Sequence, residues 1–145
     1  MKNLIQSTEA DRTTILIRLM VGLYFLAGGI LKLYIPGLQE TGYFQNIGFA
    51  APETITLTLS ILEVIFGLLI VAGLFTRVAV VFLLLTIAFT FFAGKLSILF
   101  EEGFFLMAHL SRIDFAMFLG CIFLLMKGSG YWSLDYSMGN KTETY

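Results

Sequence analysis

The sequence predicts an all-α integral membrane protein, a four-helix bundle built from antiparallel up-down hairpins. Three observations predict it. Apolar residues make up 58% of the 145-residue chain and charged residues 13%, roughly half the charge of an ordinary soluble domain. Four apolar runs, at about residues 15–34, 55–75, 78–100 and 103–126, are each long enough to cross ~30 Å of hydrocarbon at ~1.5 Å per residue. These runs are continuous rather than alternating, so they do not fit a membrane β-barrel.

The elements follow in order. Residues 1–14 form a polar N-terminal segment that includes Glu9 and Asp11. The apolar run beginning at Ile15 is too long for the core of a signal peptide and reads as a retained span. Pro36 to Pro52 is the one substantial connection, with Gly37, Gly42 and Gly48 as breakers. Thr76-Arg77 joins the second and third spans, and Glu101-Glu102 joins the third and fourth. Turns this short favour adjacent antiparallel helices. Gly128-Ser129-Gly130 reads as a helix stop. The membrane domain therefore covers 15–136, and 137–145 is a flexible tail.

Basic residues set the orientation. Lys2, Arg12, Arg18, Arg77, Lys127 and Lys141 fall on one side of the bilayer, with Lys32 and Lys95 near the other boundary beside Glu40, Glu53, Glu101 and Glu102. The positive-inside rule then places both termini in the cytoplasm and the protein in the plasma membrane. Tyr131, Trp132 and Tyr136 belong at the inner interface, where aromatic rings prefer the headgroup level.

Several function classes are excluded by composition. The net charge is −1 and the basic residues are scattered, so no nucleic-acid partner is expected. Cys121 is the single cysteine and supports neither an intramolecular disulfide nor a dithiol relay. One histidine without a cysteine set makes no metal site. No intrinsic cofactor is expected, and the dispersed methionines read as packing.

Polar residues within the spans sort by depth. Arg18, Lys32, Arg77 and Lys95 lie within a turn or two of a span end, so their long stems can snorkel to the interface. Glu63 is deeper, in a run without Lys or Arg, where a carboxylate costs about 2.5–3.5 kcal/mol on insertion scales. It lies ~12 Å past Ile55, while His109, Arg112 and Asp114 lie ~9, ~14 and ~17 Å past Gly103. Span four is close to break-even: its twelve Leu, Ile and Phe residues favour insertion by roughly 4–7 kcal/mol, and Arg112 with Asp114 opposes it by about 5–7 kcal/mol. A Glu63–Arg112 pair at matching depth would tip it inward. The same arithmetic permits a second placement, in which the membrane part of span four starts near Arg112.

Helix geometry limits the partners. His109 and Arg112 share a face at i, i+3, whereas Arg112 and Asp114 lie ~200° apart. Thr56, Ser60, Glu63 and Gly67 form an inward stripe on span two. Arg18, Gly22, Gly29 and Lys32 form one on span one, where small residues permit close helix approach. Glu63, Arg112, Asp114 and His109 are the candidate ligand or proton site. Glu63–Arg112 has two readings, a structural ion pair that fixes helix register or a functional polar site.

Taken together, Gly28-Gly29-Ile30-Leu31-Lys32 with Pro36, Glu63 with Gly67, Gly73-Leu74-Phe75-Thr76-Arg77, Arg112-Ile113-Asp114 and Gly128-Ser129-Gly130-Tyr131-Trp132-Ser133-Leu134-Asp135 resemble the DoxX family of small four-span membrane proteins. The resemblance implies a membrane four-helix bundle. Because relatives include a subunit of thiosulfate:quinone oxidoreductase, it also implies a subunit of a quinone-linked redox complex, with quinone as the ligand. Electrons would then come from a membrane or peripheral partner subunit, since the chain shows no redox centre of its own. Two alternatives stay open. One is a non-enzymatic scaffold or assembly subunit, working with partners or as a homo-oligomer. The other is a small-solute transporter, which the lack of an internal repeat disfavours.

Overall fold

The computed structural model describes residues 13–35, 44–45, 48, 50–130, 132–135 and 137. The N-terminal segment 1–12, most of the 36–49 connection including Glu40, the rings of Tyr131 and Tyr136, and the 138–145 tail with Lys141 lie outside the described residues. Those described are helical in long runs: α1 (Thr14–Tyr34), α2 (Pro52–Ala72), α3 (Thr76–Thr90), α4 (Leu96–Glu101) and α5 (Phe104–Lys127). A π-helical turn, Phe91–Lys95, joins α3 to α4, so the two form one continuous rod, Thr76–Glu101. Four helices are thus long and apolar enough to cross a membrane. The rod spans 26 residues, ~39 Å at helical rise, which exceeds the ~30 Å of a hydrocarbon core.

Local chemistry sets the boundaries. Pro52 opens α2 at a position where its missing N–H costs nothing, and Glu53 follows in the first turn. Gly73 ends α2 in the left-handed region at φ 69°. Its N–H donates to Ile70 O at 3.0 Å and that of Leu74 donates to Leu69 O at 2.9 Å, the paired closure that glycine permits.

The helices pack in a ring, α1 against α2, α2 against α3, α3 against α5 and α5 against α1. The α1–α2 seam is the closest. A Cβ built on Gly29 would lie 2.7 Å from Ser60 O, and one on Gly67 2.8 Å from Leu26 N. These are backbone atoms, which cannot swing aside. Gly67→Val should therefore cost about 1–3 kcal/mol in detergent-mediated unfolding. Gly28→Ala on the same helix pair meets nothing within 4 Å and should be neutral or stabilising.

Thr56, Ser60, Glu63 and Gly67 are all buried. The two hydroxyls donate to carbonyls one turn back, at 3.0 and 2.7 Å, so neither is left bare. Val21, Ile70, Ala79, Val80, Leu83, Cys121 and Leu124 form the apolar core, in the half of the bundle nearer the termini. Cys121 is fully buried there and acts as a packing residue. Phe66 stacks on Phe82 at 4.7 Å between ring centroids, tying α2 to α3. In the other half, Phe44 is buried and stacks on Phe89.

A clasp closes the terminal end. After Gly128 the chain folds back under the bundle. Arg18 Nη1 donates to Ser129 O at 2.9 Å and Nη2 to Trp132 O at 2.8 Å. Asp135 accepts from the backbone N–H groups of Phe75 at 2.9 Å and Thr76 at 3.2 Å. Asp135 thereby caps α3, which has no side-chain cap of its own, and holds Phe75 at a positive φ of 48°. Arg18 is only 3% exposed, which corrects the expectation that it snorkels to the interface. The reason is the returning segment, which brings two carbonyls to the guanidinium and shields it from the interface. Arg77 donates to Met126 O at 3.2 Å, on the last turn of α5. Trp132 is 78% exposed at this end.

Candidate functional site

The loop half of the bundle holds a cavity of about 400 Å³, bordered by the core residues Phe25, Ile87 and Met117. Tyr24, Phe25 and Gly28 of α1, Ile87 of α3 and Met117 of α5 supply its apolar walls. Lys32, Glu63, Thr86, Thr90 and Asp114 supply its polar ones. α1 and α5 touch at Gly120, where an added Cβ would sit 2.7 Å from Val21 Cγ2, whereas the space beside Gly28, on the cavity wall, is open.

Glu63 does not pair with Arg112. Lys32 Nζ lies 2.8 Å from each carboxylate oxygen, and both side chains are almost fully buried. Lys32 was expected at the interface, but its stem turns inward. The seam explains why. Gly29 brings α1 against Ser60 and Val64 of α2, so the next turn of α1 stands beside Glu63. The carboxylate then holds the ammonium more strongly than the headgroup region would.

Asp114 lines the same cavity from α5 and pairs with Lys95. Lys95 also donates to Leu110 O at 3.2 Å. This is a second correction, since Lys95 too was expected to reach the interface. On an uninterrupted helix it would point about 100° away from the face carrying Thr76, Leu83 and Ile87. The π turn inserts one extra residue, returning about 100° and aiming Lys95 at α5.

Arg112 is exposed on the outer side of α5. Its Nη1 lies 2.9 and 2.7 Å from the two ring nitrogens of His109, which is also exposed. The expected i, i+3 neighbours thus meet, but away from the cavity. With Asp114 facing inward, the ~200° between them sends Arg112 outward. Of the four candidates, the structure brings Glu63 and Asp114 to one cavity and places His109 and Arg112 outside it. Lys32, Thr86, Thr90 and Tyr24 join the site without having been named as ligand candidates. Lys32 alone carried a signal, its place on the same stripe as Gly22 and Gly29.

The resulting chemistry is compact. One ammonium, Lys32, and two carboxylates, Glu63 and Asp114, border a mostly apolar chamber, and Lys95 pairs with Asp114. The ammoniums can donate hydrogen bonds to a carbonyl or an anion, and the carboxylates can accept and return protons.

A DoxX family model matches residues 13–96, more than half of the chain. The chain belongs to the DoxX family. The DoxX match contains Lys32, Glu63 and Lys95, whereas α5 with Asp114 lies beyond it. An uncharacterized membrane protein of Mycobacterium tuberculosis is 40% identical over 139 residues, covering 92% of this DoxX chain and 85% of its own length. No solved structure matches. Family, relative and helices agree on a multi-pass membrane protein.

Proposed function

We propose that this chain is the membrane subunit of a quinone-linked redox complex and that the 400 Å³ cavity receives the quinone headgroup. The observation that carries this reading is the cavity itself, a mostly apolar chamber in the loop half of the bundle with the nearly buried Lys32–Glu63 pair on its wall and the half-buried Lys95–Asp114 pair on or against it. Its volume falls in the range of small-molecule sites. Phe25, Ile87 and Met117 can pack against a ring, and Lys32 is placed to donate to a carbonyl oxygen at its edge. When bound, a quinone supplies two-electron, two-proton chemistry, with the electrons delivered by a partner subunit. Glu63 and Asp114 would hold and pass the protons, each released from its lysine as the charge on the ligand changes.

The distribution of Lys2, Arg12, Arg77, Lys127 and Lys141 supports termini in the cytoplasm and a plasma-membrane location. The cavity would then lie in the outer half of the bilayer.

The test is binding of a short-chain quinone analogue to the protein in lipid nanodiscs, read by competition with a fluorescent analogue. Replacing both members of the pair, Lys32→Met with Glu63→Met, should weaken binding about 10–100-fold, as expected for loss of a charge-assisted hydrogen bond. No binding to the wild type, or equal binding to the double variant, would remove this reading.

A further inference from the structure

A second site lies on the outer face of the α3–α5 pair. An apolar groove of about 790 Å³ runs between them, lined by Phe91, Phe92, Phe104, Phe115 and Phe118, with Arg112 and the Lys95-paired Asp114 among its walls. Among the described residues, Arg112 is the cation at this level without a carboxylate partner. Lys32 is matched by Glu63 and Lys95 by Asp114, but the partner of Arg112 among the described residues is an imidazole, not a carboxylate.

Depth narrows what can supply the missing charge. Arg112 lies fifteen residues from Lys127, or ~22 Å along α5, which puts it within ~8 Å of the far boundary of a ~30 Å hydrocarbon layer. An arginine stem reaches a headgroup phosphate from there. A second copy of the chain lying alongside complements it poorly. Its carboxylates at this level, Glu63 and Asp114, are already held by lysines. Its Glu101 and Glu102 sit a further ~14 Å or more toward the loop end.

We propose that Arg112 and His109 bind the phosphate of an anionic phospholipid, with one acyl chain lying in the phenylalanine groove. The planar guanidinium suits two phosphate oxygens at once, and the open aromatic channel suits a flexible hydrocarbon tail. Ile87 and Asp114 border both the groove and the cavity, but the phosphate contacts rest on Arg112 and His109, which lie outside the cavity.

Native mass spectrometry tests it on protein released from nanodiscs of phosphatidylcholine mixed with phosphatidylglycerol. The wild type should retain phosphatidylglycerol about fivefold over phosphatidylcholine, the factor one basic residue contributes near an anionic surface. Arg112→Gln should retain the two equally, while Arg112→Lys keeps part of the preference. Ala108→Phe, on an exposed position of the groove, should lower retention of both lipids. It also decides the matter if Arg112→Gln does not fold, since undiminished retention there would overturn the site. Equal retention by the wild type, or an unchanged preference in Arg112→Gln, would likewise overturn it. So would a neutral isoprenoid or another protein chain recovered in place of phospholipid.

Discussion

Lys32→Met should destabilise the bundle by about 3–5 kcal/mol, and adding Glu63→Met should recover most of that loss. The single change takes the lysine away from a carboxylate that is only 4% exposed and lies against the α1–α2 seam. The double change removes both charges and leaves side chains of similar length in their place. Unfolding in mixed micelles, run as a double-mutant cycle, measures the coupling directly. A coupling near zero would mean that the pair is not formed in the bilayer. The outcome also separates two roles. A double variant that folds but binds no quinone analogue assigns the pair to the ligand. One that folds and binds normally assigns it to helix register alone.

Arg18→Met should cost about 1–3 kcal/mol, because the buried Ser129 O and the partly buried Trp132 O would each lose the guanidinium donor. Arg18→Lys should recover only part, since a single ammonium cannot reproduce the fork that spans both oxygens. Trp132 is the only tryptophan in the chain, so its fluorescence anisotropy reports the clasp without labelling. Anisotropy should fall in Arg18→Met while the helical circular dichroism of the spans is retained. An unchanged anisotropy would show that the segment is held by Asp135 and Ser133 without the arginine.

Hydropathy made the fold legible, because lipid imposes continuous apolar runs that few other contexts require. Depth was legible too, since a helix rises by a constant amount per residue. That was enough to single out Glu63 and Asp114 at cavity level. Direction around the helix axis was not. Arg112 matched Glu63 in depth yet is exposed on the outside of the bundle, because α5 turns its Asp114 face to the cavity. Lys32 and Arg18 looked like boundary residues because each sits near a helix end. A long stem near an end can turn either way, and what it meets is decided by neighbouring helices distant in sequence. Lys95 was the least legible. Its aim depends on one extra residue in the turn Phe91–Lys95, and nothing in Phe-Phe-Ala-Gly-Lys distinguishes a π turn from an α turn by pattern. The closing Gly-Ser-Gly segment read correctly as a stop, but its return to Arg18 and to the α2–α3 turn could not be seen from composition.

The clasp also bears on the order in which the protein can be made. Arg18 and Ser129 are 111 positions apart, so on a ribosome delivering about 5–20 residues per second the arginine waits roughly 6–22 s for its acceptors. During that interval α1 has a cation and no protein carbonyls to satisfy it. Water and headgroups must serve instead, which keeps this end of the helix at the membrane surface. The first hairpin can zip along its glycine seam in the meantime. The terminal end seals only when residues 129–135 emerge, so the earliest span to enter the membrane is among the last to reach its final environment.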